Sequence, residues 1–447
     1  MCYNIGVIQK QKKMYVVAVD MGYGHQRAAY PLIPASEGGI INANHYQGIR
    51  YWEKHTWQSG RTWYEIISRF KDIPILGRAA FAMMDHMQKI DDFYPRRDLS
   101  QNSQQQQYFY DKVRQGLGKS LIKELNKNPL PFVTTFFVPA YFAEYHGYRG
   151  EIYCIVCDAD IARAWAPYEP QKSRIIYLAT NKRVKDRLQL YGVRSKNIFV
   201  TGFPLPKENI GDQDKNILIS DLKNRLYNLD PRGIYRKKYH QLIADYLCPV
   251  KDIKNPRRPL TITFAVGGAG AQRDLGITIL QRLKKHLKNN KIRLNLVAGV
   301  RDDVYLFFQE AVKKLRLETC DNARVIYAED KMSYFKIFNK ILRSTDILWT
   351  KPSELTFYSG LGLPIIMSEP IGYQERHNRE WLLAIGAGID SLDPRYVDEW
   401  LFDWLDSGWL AEASLKGFLE APQMGAYHIE DLVLHHKVSE IEDIHLL

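Results

Sequence analysis

The residues best suited to chemistry lie in two glycine-rich segments, each directly after an apolar run. The later segment, VGGAGAQ at 266–272, contains Gly267, Gly268 and Gly270. Glycines let backbone N–H groups approach a diphosphate, and a helix that follows adds the positive end of its dipole. The pattern predicts a phosphate-binding loop; a tight turn into a helix is the alternative for this loop taken alone.

The earlier segment, GYGHQRAA at 22–29, carries a histidine directly after its second glycine. Its loop residues are Gly22, Tyr23, Gly24 and His25. A dinucleotide-binding domain would place an acid about 20 residues further on, where the chain offers only Glu37 before a weak strand. We therefore predict that His25 faces a substrate as a base or hydrogen-bond donor, with a capping or packing role as the alternative.

Polar side chains also cluster after two later apolar runs, in the segment 350–378. Open α/β sheets bind ligands at the ends of their strands, and such side chains can bond to ribose or sugar hydroxyls. The candidates are Lys351, Ser353, Thr356, Gln374, Glu375 and Asn378. An ordinary solvated loop is the alternative.

Apolar, strand-like runs alternate with amphipathic segments through most of the chain. MYVVAVD at 14–20 is the first strong strand, and LTITFA begins a second series after the proline-rich NPRRP at 255–259. A chain of 447 residues is too long for one ordinary core. The pattern predicts an α/β protein with two Rossmann-like domains, while the polar tract QNSQQQQ at 101–107 indicates a loop tip.

Composition narrows the classes further. Hydrophobic residues make up 45% and charged residues 25%, as in globular proteins. No apolar run is long enough to span a membrane, and the first residues lack the order of a secretory signal, so we expect a cytoplasmic protein. The net charge of +12 favours phosphorylated ligands, anionic lipid or nucleic acid. Nucleic acid is not expected, because no zinc-finger or RNA-recognition signature is present.

Cys154 and Cys157 form a C-x-x-C within the apolar run IYCIVCD. A spacing of three along a strand places the two thiols on opposite faces, and no second cysteine pair completes a zinc site. We therefore predict a structural role for both, and no metal site.

Together these segments resemble the GT-B glycosyltransferases that act on lipid acceptors. The likeness is greatest to the monogalactosyl- and glucosyl-diacylglycerol synthases, and weaker to the lipid II-forming N-acetylglucosaminyltransferase. GYGHQRAA is similar to the family's N-terminal loop, IYCIVCDAD to its strand that ends in an aspartate, here Asp158, and VTGFPL to its interdomain link. VGGAGAQ, TKPSELT and PIGYQERHN resemble its phosphate loop and its K-P-G-G-x-T and P-G-Q-E-x-x-N donor motifs. The matches occur in family order over most of the chain.

The resemblance implies a GT-B fold, in which two Rossmann-like domains face an interdomain cleft. The predicted divisions are an acceptor-side domain, a basic helical insertion, a nucleotide-sugar-binding domain and a C-terminal tail, at 1–206, 207–258, 259–425 and 426–447. The implied activity is an inverting, metal-independent hexosyl transfer from a nucleotide-sugar, expected to be UDP-linked, to a lipid or lipid-linked acceptor. No cofactor is implied, since the nucleotide-sugar is a substrate.

The resemblance nominates His25 or Asp158 as the base that deprotonates the acceptor, with His25 slightly preferred. Asp158 also begins a D-x-D, which binds a metal in GT-A enzymes but is not assigned that role among GT-B motifs. A GT-B nucleotide-sugar epimerase and a non-catalytic binding protein of the same fold are the alternatives.

The donor motif departs from the family pattern. Ser353 and Glu354 stand where the family has two glycines, and Ser359 stands where it has an acid that holds the ribose. Glu354, which we include among the donor-binding residues, either takes over that contact or marks a changed donor specificity.

An aromatic stretch at 51–87 ends in FKDIPILGRAAFAMMDHM, an apolar patch flanked by basic residues. Peripheral membrane anchors have this composition, and a core helix is the alternative. Such an anchor would place the protein on an anionic membrane surface, at the inner face of the cell membrane.

Overall fold

The computed structural model describes residues 12–58, 89–267, 270, 272–370 and 372–439. Two sequence predictions fall outside these residues: the apolar patch at 70–87 and the loop position Gly268.

The first domain contains a six-stranded parallel sheet in the order β2-β1-β3-β4-β5-β6. Its strands are β1 Met14–Ala18, β2 Ser36–Asn42, β3 Phe132–Thr134, β4 Ile152–Ile155, β5 Ile176–Ala179 and β6 Ile198–Val200. The helices around them are α1 Gly24–Ala29, α2 Gln104–Arg114, α3 Lys119–Leu125, α4 Phe137–Tyr145 and α5 Lys182–Leu190, and residues 51–58 are also helical. Apart from Thr134 at the end of β3, the inner strands are apolar, because helices cover both faces of the sheet.

The second domain has a six-stranded parallel sheet in the order β12-β11-β10-β7-β8-β9. Its strands are β7 Leu260–Ala265, β8 Ile292–Gly299, β9 Ala323–Tyr327, β10 Ile347–Thr350, β11 Ile365–Met367 and β12 Gly388–Asp390. The strand order reverses between β7 and β10, and the crevice at such a reversal is where open α/β sheets bind ligands. Two Rossmann-like parallel sheets confirm the predicted α/β architecture.

The remaining helices link the domains and surround the second sheet. They are α6 Lys207–Ile210, α7 Asn216–Leu229, α8 Ile234–Lys238, α9 His240–Tyr246, α10 Arg273–Lys288, α11 Asp302–Lys314, α12 Lys331–Leu342, α13 Tyr373–Ala384, α14 Val397–Ser407, α15 Trp409–Glu420 and α16 Gly425–His435. Short 3-10 helices cover Tyr30–Ala35, Arg163–Trp165, Ser195–Asn197, Val250–Asp252, Glu354–Leu361 and Pro394–Tyr396.

Two of these helices add detail to the predicted divisions. In α7, within the predicted insertion, the buried Arg225 donates to the carbonyls of Thr345 and Leu361 at 2.8 and 2.6 Å, so this helix packs on the second domain. Helix α16, within the predicted tail, returns to the first domain, where the ring of His428 lies 3.1 Å from the Thr201 carbonyl. The exact domain boundaries remain a prediction.

Two local predictions have opposite outcomes. Cys154 and Cys157 are buried free thiols that lie in separate core clusters on the two sides of the first sheet, as the spacing predicts. The loop tip predicted at 101–107 is wrong, because α2 begins at Gln104. The Ser103 hydroxyl accepts the backbone N–H of Gln106 and caps the helix, a preference that outweighs the polar composition of the tract.

Candidate active site in the interdomain cleft

His25 lies in the first turn of α1, beside the carboxyl end of β3. Its Nδ1 is 2.7 Å from the Thr135 carbonyl oxygen, and the Thr135 hydroxyl donates to the His25 carbonyl at 3.0 Å. A carbonyl can only accept, so Nδ1 carries the proton and Nε2 keeps its lone pair. Burial lowers the His25 pKa to about 4, against smaller raising effects of the Thr135 carbonyl and Glu354. The imidazole is therefore neutral at pH 7.

Asp158 follows the end of β4 and is half-buried. The side-chain amide of Asn378 in α13 donates to its Oδ1 at 3.0 Å. Burial raises the Asp158 pKa to about 6; the Asn378 bond opposes this shift, and the charges of Glu354 and Glu375 add to it. Asp158 is thus an ionised carboxylate at pH 7 that can take up a proton near neutrality.

Asn378 joins the two domains. Its Oδ1 accepts the backbone N–H of Ala159 at 2.7 Å, and its Nδ2 approaches the Pro352 carbonyl at 3.4 Å as well as Asp158. The side chain is fully buried. In this structure its amide therefore connects the end of β4 with the turn after β10, while its predicted contact with a sugar donor remains a prediction.

The diphosphate candidates lie at the strand reversal of the second sheet. Gly267 follows β7 and Lys351 follows the adjacent β10. A Cβ atom on Gly267 would lie 2.6 Å from Cε of Lys351, so a larger residue here would displace the lysine side chain from its present position. Lys351 forms an ion pair with Glu375 in the first turn of α13, and Gly270 has a positive φ of 71° that glycine adopts without strain.

The other predicted donor residues occupy the turn after β10 and the start of α13. Thr356 is fully buried and donates to the Ser353 carbonyl at 2.8 Å, which shapes the turn. Gln374 is half-buried near the start of α13. Ser359 is fully buried with its backbone against Gly417 of α15. The serine that replaces the family's ribose-binding acid therefore packs inside the second domain.

Glu354 reaches across the cleft to Arg27, an interaction that sequence reasoning missed. The Arg27 Nε lies 3.1 Å from Glu354 Oε1, and its Nη2 donates to the Tyr334 hydroxyl at 3.1 Å. The guanidinium also lies over the ring of Phe338, 4.6 Å from its centroid. Arg27 is only 2% exposed. In the sequence, Arg27 and Glu354 are single charged residues in two separate motifs. Only the folded structure shows that they form an ion pair.

The loop predicted on the acceptor side also contacts the second domain. The backbone N–H of Val300 donates to the Tyr23 hydroxyl at 3.0 Å, and Lys331 of α12 donates to the Gly22 carbonyl at 2.8 Å and pairs with Asp20. A Cβ on Gly24 would lie 3.4 Å from Oε2 of Glu354. The first glycine loop therefore lies directly against the second domain, through Val300, Lys331 and Glu354.

The second aspartate of the D-x-D, Asp160, forms ion pairs with two arginines of α5. Asp160 is 2% exposed, and its carboxylate accepts two hydrogen bonds from Arg187 at 2.8 Å and one from Arg183 at 3.1 Å. These bonds hold α5 against the end of β4, directly beside Asp158.

Two Rossmann-like sheets whose carboxyl ends meet at a common cleft place the chain in the GT-B fold class. No protein-family model matches it. Over 215 residues it is 22% identical to the processive diacylglycerol beta-glucosyltransferase of Bacillus subtilis (strain 168), covering 48% of this chain and 44% of that protein. The match thus spans less than half the length of that relative. The resemblance to GT-B glycosyltransferases that the motifs indicate is confirmed.

Solved structures with a similar layout include MurG from Acinetobacter baumannii, with 13% identity, a TM-score of 0.46 and coverage of 94% of this chain and 99% of that one. A UDP-GlcNAc 2-epimerase from Neisseria meningitidis bound to UDP-GlcNAc has 12% identity, a TM-score of 0.47 and coverage of 95% and 100%. The fold assignment rests on the two sheets and their strand order.

Within the described part of the chain, no helix has the length and apolar composition needed to span a bilayer.

Proposed function

We propose that the protein is a glycosyltransferase that moves a hexose from a UDP-linked donor to a hydroxyl of a lipid or lipid-linked acceptor, with inversion. One observation carries the proposal: a neutral His25 and a carboxylate, Asp158, lie across the cleft from the glycine loop and Lys351. The Bacillus relative, whose name is that of a diacylglycerol glucosyltransferase, supports the class of acceptor.

In the proposed reaction the acceptor oxygen attacks the anomeric carbon while the bond from that carbon to the diphosphate oxygen breaks. The acceptor proton passes to Nε2 of His25, whose ring is oriented by the bond from Nδ1–H to the Thr135 carbonyl. The ionised Asp158 supports the positive charge that develops on the sugar and on His25. Because Thr135 is the partner of Nδ1, Asp158 does not orient the histidine in this structure.

The leaving diphosphate gains negative charge as the bond breaks. The backbone N–H groups of Gly267 and Gly270 and the N-terminus of α10 provide positive partial charges for it. Lys351 provides a full positive charge next to Gly267, and the Glu375 carboxylate holds its side chain in place. We propose that these residues alone stabilise the departing diphosphate and that no metal is required.

The test is transfer of radiolabelled sugar from UDP-sugars to a membrane lipid extract, with variants at both candidate residues. His25→Ala and Asp158→Asn should each lower kcat by about 100-fold or more. His428→Ala is the matched control, because His428 also has a ring nitrogen bonded to a carbonyl but lies on α16, in contact with Thr201; its activity should stay close to wild type. Undiminished transfer by both cleft variants would refute the assignment.

The same assay separates the two alternatives. Isomerisation of the nucleotide-sugar without any acceptor would identify an epimerase, and binding without turnover of any donor would identify a non-catalytic protein. We also propose that the basic chain, with a net charge of +12, associates peripherally with anionic lipid from the cytoplasmic side.

A further inference from the structure

The ring of Tyr23, on the loop of the first domain, fills a slot in the second domain. The slot is formed by the backbone of Gly299 and Val300 and by the ring of Tyr334, whose centroid is 4.9 Å from that of Tyr23. Tyr23 is 7% exposed. A Cβ at position 299 would lie 2.2 Å from the Tyr23 hydroxyl oxygen, so the slot exists only because residue 299 is glycine.

The slot lies at the carboxyl end of β8, the second strand of its sheet. β8 pairs directly with β7, whose following loop contains the diphosphate candidates Gly267 and Gly270. In Rossmann-type sheets the diphosphate lies at the end of the first strand and the nucleoside extends toward the end of the second. Tyr23 therefore occupies the place toward which the nucleoside of a ligand bound at that loop would extend.

The contacts of Tyr23 are those that a nucleobase would make. A nucleobase is a flat ring whose exocyclic carbonyl oxygen can accept a backbone N–H, as the Tyr23 hydroxyl accepts that of Val300 at 3.0 Å. Its faces pack against aromatic rings, as Tyr23 packs against Tyr334. We propose, building on the proposed function, that Tyr23 is an intramolecular competitor that fills the nucleobase slot and must leave before the nucleotide binds.

Contacts of the residues before Tyr23 fix the loop in place, and a glycine among them allows the loop to change conformation. Lys331 pairs with Asp20 and donates to the Gly22 carbonyl, so it closes the loop over α12. Gly22 has a positive φ of 85°, a conformation in which glycine can change without a steric penalty. His25 is two residues beyond Tyr23. Displacement of the ring by a nucleotide therefore also moves the start of α1 and links donor binding to the position of His25.

The experiment is calorimetric titration of UDP into the full chain and three variants. Tyr23→Ala empties the slot and should bind UDP at least about ten-fold more tightly than wild type. Tyr23→Phe keeps the ring but removes the acceptor for the Val300 N–H, and should tighten binding by about five-fold. Tyr30→Ala is the matched control, since Tyr30 packs against Phe335 at 5.6 Å in the same interface; its affinity should be unchanged.

Each outcome decides the proposal. Weaker binding by Tyr23→Ala would show that the ring belongs to the nucleotide site, and equal binding would show that the base lies elsewhere; both overturn the competitor while nucleotide binding stands. Equal tightening by Tyr30→Ala would indicate general loosening of the domains and also overturn it. Absence of UDP binding by every protein, with Tyr23→Ala folded, would refute both this inference and the proposed function. Tyr23→Phe, which changes one atom, keeps the test available if the alanine variant does not fold.

Discussion

Burial gives the two candidate catalytic residues opposite pKa shifts. The ring of His25 loses solvation and its pKa falls to about 4, while the Asp158 pKa rises to about 6. In both cases burial disfavours the charged form. A neutral imidazole can accept the acceptor's proton at pH 7, and an ionised Asp158 is present at the same pH. Both groups therefore hold, at neutral pH, the protonation state that the proposed reaction needs.

The ionised Asp158 should cost stability, which gives a prediction for pH dependence. Its folded pKa of about 6 lies above the ordinary 3.8, so the fold favours the protonated form. That contribution is complete below about pH 4 and is lost as the pH rises through about 6. Asp158→Asn should therefore be more stable than wild type at pH 8, by up to about 3 kcal/mol, and close to wild type at pH 4. Urea unfolding at the two pH values measures the difference.

The matched control for that measurement is Asp160→Asn, two residues away. Its carboxylate pairs with the buried Arg187, so the variant should be destabilised at both pH values because a buried guanidinium loses its partner. A stability gain of Asp158→Asn that is equal at pH 4 and pH 8 would mean that ionisation of Asp158 is not its cause.

At the scale of elements, an ion pair joins α1 of the first domain to the 3-10 helix Glu354–Leu361 of the second. Its members are Arg27 and Glu354, and the rings of Tyr334 and Phe338 enclose the guanidinium of Arg27. A charge enclosed in this way depends on its partner, because water cannot replace it. Glu354 is thus engaged by Arg27 in this structure, while its contact with a donor ribose remains a prediction.

The Arg27–Glu354 ion pair predicts that substitutions of its two members have non-additive effects on stability. Arg27→Met and Glu354→Gln should each lower the free energy of unfolding by about 3–5 kcal/mol, because each leaves a poorly solvated charge unpaired. The double variant should lose less than the sum of the two. As a control, Lys172→Met breaks an exposed pair with Glu169 and should change stability by less than about 1 kcal/mol. Strict additivity in urea unfolding would contradict a direct interaction.

Some of these elements and site residues could be predicted from the sequence and others could not. Both sheets were predictable because buried parallel strands are apolar runs that end in glycine or polar residues, as at Gly22 and Gly267. Asp158 and Lys351 were predictable as residues that follow strands. The Arg27–Glu354 pair was not, because its members are 327 positions apart and each lies in an apparently separate motif. The slot of Tyr23 is likewise made by backbone atoms of Gly299 and Val300, which carry no side-chain signal.

At the scale of the whole molecule, the two domains are held together around the cleft by Tyr23, Arg27, Lys331 and Asn378. The proposed displacement of Tyr23 by a nucleotide would break one of these contacts. Ligand binding and domain opening are therefore expected to be coupled, since the same loop carries Tyr23 and His25.

The excess of positive charge predicts salt-dependent association with anionic lipid. With a net charge of +12, the chain should co-sediment with vesicles that contain phosphatidylglycerol at low ionic strength, and lose most of that binding at about 0.5 M salt, where charges are screened within a few ångströms. Vesicles of phosphatidylcholine alone are the control. Absence of binding to anionic vesicles at low salt would refute peripheral association.

The proposed reaction is inverting transfer of a hexose from a nucleotide-sugar to a lipid hydroxyl. Its most direct test is to incubate the wild-type protein with α-linked UDP-hexoses and a lipid extract, and to read the anomeric configuration of the glycolipid product from its proton NMR coupling. We expect a β-linked product, because the acceptor activated by His25 attacks opposite to the departing diphosphate. An α-linked product, or consumption of the donor with no glycolipid formed, would contradict it.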